Sequence, residues 1–310
     1  MASPTLLLLG ALLAFVFGWN NSAFLIGSGE GSGSLTLREA LAVSTAGLLL
    51  GVLLEGPQMV KSLSGSVTPT AGDDVVAVAL AVSLAMTLSL SLLKLPVSFS
   101  TAMVGAFAGA AYARSLPLDG ARLGEIVGFW FVAVVIAAGL SYAIYRTFLR
   151  LTPRLGLLAL DGASRYGVIL TSLVIAYVLG ANNVGLIYGM TINGGSASFP
   201  DLLLVVLVAI LGMAALGRGS IAGTVGDRLL GLSPFGVVAT FLSSALLIWV
   251  GTQLAIPISI SQCLMGGMFG AALTSRVSVV NTRLAAESVG SWVAVPLASF
   301  LVAYALAFLV

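Results

Sequence analysis

Two short stretches decide how this sequence folds: residues 96–101 read Pro-Val-Ser-Phe-Ser-Thr, and residues 257–262 read Pro-Ile-Ser-Ile-Ser-Gln. The second stretch begins 161 residues after the first. Each leads into a run of small apolar residues that contains two glycines four residues apart. Because proline suits the first turn of a helix and hydroxyl side chains suit its start, both stretches predict a helix beginning. The glycine spacing predicts close helix packing.

Two further matches keep nearly the same offset. Residues 18–21 read Gly-Trp-Asn-Asn, and residues 180–183 read Gly-Ala-Asn-Asn, 162 positions later. Gly56, Val60 and Gly65 are followed 161 positions later by Gly217, Ile221 and Gly226. Three matches in one order indicate an internal repeat.

The composition places the repeat in a membrane. Of 310 residues, 59% are hydrophobic and 8% are charged, whereas a soluble domain is about 25% charged. The absence of histidine excludes histidine-based catalysis, metal sites and proton relays, and the single cysteine, Cys263, excludes an internal disulfide. A net charge of +2 gives no basis for nucleic-acid binding. We therefore expect a membrane protein with no enzymatic activity, no metal and no cofactor.

Ten apolar segments divide equally between the halves. Eight are long enough to span a bilayer of about 30 Å: residues 5–26, 36–54, 75–93, 123–145, 168–187, 202–216, 235–254 and 288–310. The two proline-led segments, 96–113 and 257–273, are marginal for a straight crossing and predict broken or re-entrant helices. We expect a first membrane repeat at 1–145, a basic cytoplasmic linker at 146–165, and a second repeat at 166–310.

An odd number of crossings per half places the halves in opposite orientations. The predicted fold is therefore an all-α polytopic membrane protein with two inverted-topology repeats. That architecture is typical of secondary transporters, which bind substrate near the membrane midplane on discontinuous helices.

The paired asparagines are the first candidate site. Buried amides cost free energy unless they are hydrogen-bonded, and the preceding glycines, Gly18 and Gly180, allow unwinding or close backbone approach. Their oxygens suit a cation and their NH₂ groups suit an anion. The alternative is hydrogen bonding between helices. The cation-binding candidates are Asn20, Asn21, Asn182 and Asn183.

The two proline-led helix starts are the second candidate site. Free N–H groups and the positive end of the helix dipole favour an anion there, and hydroxyls add donors. The alternative is that each serine bonds back to its own helix. The substrate-binding candidates are Ser98, Ser100, Thr101, Ser259, Ser261, Gln262, Asn21 and Asn183.

These motifs resemble the PiT family of inorganic phosphate transporters. Its members carry Gly-Ala-Asn-Asp-Val-Ala-Asn and Gly-Leu-Pro-Val-Ser-Thr-Thr-His in each half. Here the first motif is similar to residues 18–21 and 180–184, and the second to residues 95–98 and 256–259. The resemblance covers nearly the whole chain. It implies a homodimeric inverted-repeat symporter of the cell membrane that binds phosphate between two hairpins and couples to Na⁺ or H⁺.

The chain departs from that family at its titratable positions. The family aspartate falls on Asn21 and Asn183, and the family histidine falls on Thr101 and Gln262. The acidic residue near the start of the second helix falls on Leu48. The expected site is therefore neutral, and the usual basis for Na⁺ or H⁺ coupling is missing.

These departures also bear on the anion. Phosphate near neutral pH keeps one or two protons and benefits from an acceptor, whereas sulfate keeps none and needs donors only. An unmatched buried group costs about 1–3 kcal/mol, so amides in place of carboxylates favour sulfate, while the resemblance favours phosphate. We expect a phosphate transporter that works by alternating access, with a sulfate permease as the alternative and an anion channel as the alternative of another class.

Overall fold

A computed structural model describes residues 3–27, 33–93, 98–154, 156–193, 195, 198–216, 232–274 and 282–309. The regular elements in these ranges are all helical. In chain order, the α-helices are α1 (Pro4–Ser22), α2 (Leu37–Glu55), α3 (Asp73–Leu92), α4 (Phe99–Ala113), α5 (Gly120–Leu151), α6 (Leu157–Leu179), α7 (Gly185–Ile192), α8 (Phe199–Leu216), α9 (Pro234–Gln253), α10 (Ile260–Thr274) and α11 (Thr282–Ala307). Pro96 and the stretch 217–226, both used in the repeat prediction, lie outside the described residues.

Short non-α turns follow or join the helices at four places in the described ranges, one of which is the 3₁₀ turn at Thr152–Arg154 between α5 and α6. A 3₁₀ turn (Gly56–Lys61) and a π turn (Leu63–Val67) follow α2. A π turn at Ala23–Gly27 follows α1, and another at Gly180–Val184 joins α6 to α7.

Local sequence explains where several helices begin. Thr36 and Glu39 form a capping box at α2, in which each side chain pairs with the other residue's backbone N–H. At α5, Asp119 accepts from the backbone N–H of Arg122. At α9, Ser233 accepts from the N–H of Gly236, and Pro234 occupies the first turn. Such side chains satisfy N–H groups that a helix leaves unpaired at its start.

Helix lengths confirm the membrane assignment. Within the described ranges, seven helical segments are long and apolar enough to cross a bilayer. The eighth predicted span, 202–216, lies in α8, which is one of the shorter apolar helices. Helices α4 and α10 have 15 residues each, or about 22 Å at 1.5 Å per residue. They are too short to cross the apolar layer alone, as predicted for broken or re-entrant segments. The chain is an all-helical multi-pass membrane protein.

The internal repeat appears in the helix boundaries. Helices α3 and α9 begin and end 161 residues apart, and so do α4 and α10. Helices α2 and α8 begin 162 residues apart. The offsets in the sequence motifs therefore extend to whole helices.

The contacts at the helix ends show that the repeats are inverted. Asp74 at the start of α3 pairs with Arg114 just after α4 at 3.4 Å, so the starts of α3 and α5 lie on one face. Arg122, near the start of α5, donates to the carbonyl of Leu254 just after α9 at 2.7 Å. The end of α9 therefore lies on the face where its repeat partner α3 begins.

The halves interlock through glycines. In α4, Gly105 and Gly109 lie so close to the carbonyls of Pro296 and Phe300 on α11 that an added Cβ would overlap them. The equivalent glycines of α10, Gly266 and Gly270, lie in the same way against Val134 and Ala138 on α5. The packing interpretation of these spacings is confirmed.

The glycines before the asparagines make a second pair of close contacts between the halves. A Cβ on Gly18 of α1 would overlap the carbonyl of Ala209 on α8, and one on Gly180 would overlap that of Leu48 on α2. Close approach, and not unwinding, is what these glycines provide. Helix α5 continues to Leu151 and α6 begins at Leu157, so much of the segment 146–165 is helical; the boundaries at 145 and 165 stay predictions.

The close packing at the glycines predicts that alanine substitutions at two of them have opposite effects on the free energy of unfolding. Gly270→Ala places a methyl group against the Ala138 carbonyl, so we expect a loss of about 1–3 kcal/mol in the free energy of unfolding. Gly139→Ala, on α5, meets open space and should gain up to about 1 kcal/mol from helix propensity. Thermal unfolding of both variants in detergent measures the difference. Equal melting temperatures would contradict the interlock.

Candidate functional site

Helices α4 and α10 begin with the same serine cap. Ser98 Oγ accepts from the N–H of Thr101 at 3.2 Å, and Ser259 Oγ accepts from the N–H of Gln262, also at 3.2 Å. The local hydrogen-bonding alternative is therefore correct for these two oxygens. The helices begin at Phe99 and Ile260, three residues after positions 96 and 257.

The role predicted for the proline needs correction. Pro257 lies two residues before the cap and outside the first turn, and its carbonyl accepts from Trp130 Nε1 at 2.8 Å. This bond ties the segment before α10 to α5. Its counterpart, Pro96, lies outside the described residues.

Each capped start leaves two backbone donors. The N–H groups of the first two residues have no acceptor within their own helix. These residues are Phe99 and Ser100 in α4, and Ile260 and Ser261 in α10. Free N–H groups at the positive end of a helix dipole favour an anion.

A buried cluster joins the two starts. Ser100 Oγ donates to the carbonyl of Ile258 at 2.8 Å. The amide of Asn183 donates to Ser100 Oγ at 2.6 Å and to the same carbonyl at 3.0 Å. The structure therefore brings together two predicted residues, Ser100 and Asn183, and the segment that leads into α10.

Asn182 is bonded at both ends of its amide. Its Nδ2 donates to Thr252 Oγ1 at 3.1 Å and to the Ile256 carbonyl at 3.0 Å. Its Oδ1 accepts from the N–H of Ile258 at 3.0 Å. These bonds hold the chain before α10 to Asn182.

Asn20 makes the equivalent bond in the first half. Its Nδ2 donates to Ser91 Oγ at 2.6 Å, and Ser91 and Thr252 are repeat partners at the 161-residue offset. Each hydroxyl in turn donates to the carbonyl four residues earlier. The interhelical interpretation is therefore correct for Asn20 and Asn182. The sequence analysis missed Ser91 and Thr252, although the repeat offset relates them.

The asparagines lie at widened helical turns. Asn182 and Asn183 lie within the π turn at Gly180–Val184, which continues directly into α7. In the first half, the π turn at Ala23–Gly27 directly follows the asparagine-bearing last turn of α1. Single π turns are frequent at functional sites. The expected discontinuity is thus a local widening of the helix.

The second asparagines differ between the halves. Asn183 bonds Ser100, but its counterpart Asn21 donates to the Phe17 carbonyl of its own helix at 3.0 Å. Ser261, the counterpart of Ser100, shares a hydrogen bond with Ser259 at 3.2 Å. The repeat predicts a hydrogen bond between Asn21 and Ser261. Both residues are described, and the structure shows no such bond between them.

The asparagines of the second half offer fewer free hydrogen-bond donors than the sequence predicts. Both donors of the Asn183 amide are taken by protein acceptors, as are those of Asn182. Within the described part of the chain, the buried oxygens Asn183 Oδ1 and Gln262 Oε1 have no hydrogen-bond partner. The premise that asparagines supply donors, on which the preference for sulfate depended, does not hold for these two residues in this structure.

The predicted site is buried and neutral. Its side chains are at most 5% exposed, and all of them are amides or hydroxyls. Among the described residues there is no group of three or more His, Cys, Asp or Glu side chains that could hold a metal. Any anion bound there would be held by backbone N–H groups, hydroxyls and amides.

Comparison with known proteins gives a consistent result. The model of the phosphate transporter family matches residues 17–160 and 158–303. A relative from Methanocaldococcus jannaschii that bears a phosphate permease name is 23% identical, with 96% of this chain and 94% of the relative covered. The sulfate permease CysP of Bacillus subtilis is 22% identical, with 97% of this chain and 86% of the permease covered.

One solved structure shares the fold. A sodium-dependent phosphate transporter superposes with a TM-score of 0.84 at 18% identity, covering 98% of each chain. Together with the family match, which is to transporters and not to enzymes or channels, this confirms the predicted architecture.

The tether between Asn182 and α9 can be tested with a matched pair of variants. Thr252→Val keeps the shape of the side chain but removes the hydroxyl, which leaves one buried amide hydrogen of Asn182 with only the weak acceptor Met59 Sδ at 3.6 Å. We expect a loss of about 1–3 kcal/mol in the free energy of unfolding. Thr252→Ser keeps the hydroxyl and should lose clearly less. Thermal unfolding in detergent would contradict the tether if the two variants melted together.

Proposed function

This chain belongs to the phosphate transporter family, and on that premise we propose that it carries inorganic phosphate across the cell membrane by alternating access. The observation that carries the proposal is the link between two helix starts of inverted repeats, made by Ser100 and the Ile258 carbonyl at 2.8 Å. Capped helix starts present free N–H groups to an anion. Their location where the two repeats meet is the location expected for a transporter substrate.

The proposed phosphate site uses both helix starts. The N–H groups of the first two residues of α4 and α10 donate to the phosphate oxygens, and the serine hydroxyls add donors. The side chains assigned to this site are Ser98, Ser100, Thr101, Ser259, Ser261, Gln262, Asn21 and Asn183. A neutral cage of this kind suits transport, because an anion held by dipoles alone can also be released.

The unequal asparagines support an exchange between two states. In this structure Asn183 holds Ser100, while Asn21 is turned to its own helix. Because the halves are repeats, the opposite-facing state would reverse these roles, with Asn21 bonded to Ser261 and Asn183 released. Access to the phosphate would then alternate as one bond replaces the other.

Sodium is the proposed coupling ion. Asn20 and Asn21 are buried in the first half, and their side-chain amides carry neutral oxygens of the kind that can ligate a cation. The structural relative of the same fold is named as sodium-dependent. Without a carboxylate, such a site would bind Na⁺ weakly, because its ligands would be neutral carbonyl dipoles and not a full negative charge.

Two further features stay predictions from the family resemblance. Seven membrane-spanning candidates support a multi-pass protein, and we propose the cell membrane as its location. We also propose a homodimer, which the mass of the purified protein in detergent would test.

Transport assays test the function directly. After reconstitution into proteoliposomes, we expect saturable uptake of radiolabelled phosphate that an inward Na⁺ gradient stimulates more than an equal K⁺ gradient. Ser100→Ala, which removes a hydroxyl from the inter-repeat link, should lower uptake about 10-fold or more. Absence of saturable phosphate uptake would contradict the proposed function, and equal stimulation by K⁺ would remove Na⁺ as coupling ion.

Cysteine crosslinking tests the exchange of bonds. In a Cys263→Ala background, the pair Ser100→Cys with Asn183→Cys should crosslink in the state seen here, and the pair Asn21→Cys with Ser261→Cys in the opposite-facing state. Conditions that increase one crosslink should decrease the other. A second pair that never crosslinks during turnover would contradict the exchange.

A further inference from the structure

Two buried carbonyl oxygens at the proposed phosphate site lack a donor. Asn183 is 1% exposed and Gln262 is 2% exposed, and neither Asn183 Oδ1 nor Gln262 Oε1 has a hydrogen-bond partner among the described residues. The amide of Asn183 cannot simply be turned over, because its Nδ2 donates to the Ile258 carbonyl at 3.0 Å, and a carbonyl only accepts. A buried acceptor without a donor is unfavourable, so these oxygens indicate a ligand that donates.

The same site has its anion donors elsewhere. The first two N–H groups of α4 and of α10 are free of their own helices, and one hydroxyl hydrogen of the Ser259–Ser261 pair is not used between them. These donors suit the unprotonated oxygens of an anion. The site thus combines donors at the helix starts with acceptors on two amides.

The two acceptors lie close to those donors along the chain. Asn183 contacts Ile258, which immediately precedes the cap Ser259. Gln262 lies one helical turn further, and its backbone N–H bonds that same cap at 3.2 Å. Asn183 therefore contacts the segment that leads into α10, and Gln262 belongs to the first turn of that helix.

We infer that Asn183 and Gln262 are specificity-determining residues that accept hydrogen bonds from the P–OH groups of protonated phosphate. The inference rests on the proposed function, since it requires the anion to bind at this site. Phosphate near neutral pH carries one or two such hydroxyls and can satisfy the amide oxygens while its other oxygens meet the N–H groups. The proton remains on the phosphate, and no group of the protein titrates.

Sulfate is rejected by the same geometry. It carries no proton near neutral pH and would place its oxygens against two carbonyl oxygens while satisfying neither. A buried unmatched acceptor corresponds to about 10- to 150-fold weaker binding. This reverses the preference for sulfate that the change from aspartate to asparagine suggests when sequence alone is considered.

Competition binding on the purified full-length protein tests the inference. The measurement is the affinity for radiolabelled phosphate and its displacement by sulfate, on both sides of neutral pH. We expect phosphate to bind at least about 10-fold more tightly than sulfate, with an advantage that declines as rising pH removes protons from phosphate. Gln262→Met keeps the length of the side chain but removes the amide acceptor. It should lower the ratio of phosphate affinity to sulfate affinity about 10-fold.

Two control variants test whether the effect depends on the acceptor oxygen at position 262. Gln262→Glu keeps the acceptor oxygens and should retain the preference for phosphate. Gln253→Met makes the same change on α9, where the amide bonds Glu55 at 3.1 Å near the end of α2, and should leave the ratio unchanged.

The possible failures are distinguishable. If phosphate binds but its ratio to sulfate is the same in Gln262→Met, the inference is wrong and the proposed function stands. If Gln262→Met changes the Na⁺ requirement and not the anion ratio, these oxygens serve a cation, and the inference is again wrong. If neither anion binds, the proposed function itself fails.

Discussion

A helix that begins inside an apolar protein leaves backbone N–H groups that its own turns cannot satisfy. In this molecule α4 and α10 each begin in a fully buried position, with a serine cap that takes only the third N–H. Burying the remaining groups without partners would cost free energy. This constraint explains why the hydroxyl and amide side chains collect at the two starts, and why an anion is the complement that the site lacks.

The glycine interlock makes such an arrangement possible. Each short helix lies against the last helix of the other half, with backbone close to backbone at Gly105 and Gly109, and at Gly266 and Gly270. Since the two contacts are made by equivalent residues, the halves hold each other in the same way. At the candidate site the clearest difference between them is a hydrogen bond, because Asn183 bonds Ser100 while Asn21 bonds its own helix. A protein built in this way can exchange one bond for its repeat equivalent with little change in the packing around it.

The sequence predicted the fold closely because its main signals are periodic or compositional. Apolar length gave the helices, the offset of 161 gave the repeat, and the serines gave the starts of α4 and α10. Hydrogen-bond partners were less predictable. Nothing in the residue types reveals that the Asn182 amide is fully used by Thr252, Ile256 and Ile258, or that Asn183 keeps a free oxygen, because these facts depend on long-range packing. The exchange of Asp for Asn was therefore interpreted as a gain of donors, whereas the structure leaves acceptors.

A structure of the protein with arsenate, a heavier analogue of phosphate that scatters anomalously, tests the central claim most directly. The account predicts one anomalous peak between the start of α4 and the start of α10, with anion oxygens in reach of the N–H groups of Ser100 and Ser261 and a hydroxyl facing Asn183 or Gln262. A peak bound elsewhere, or none at concentrations that saturate transport, would contradict it.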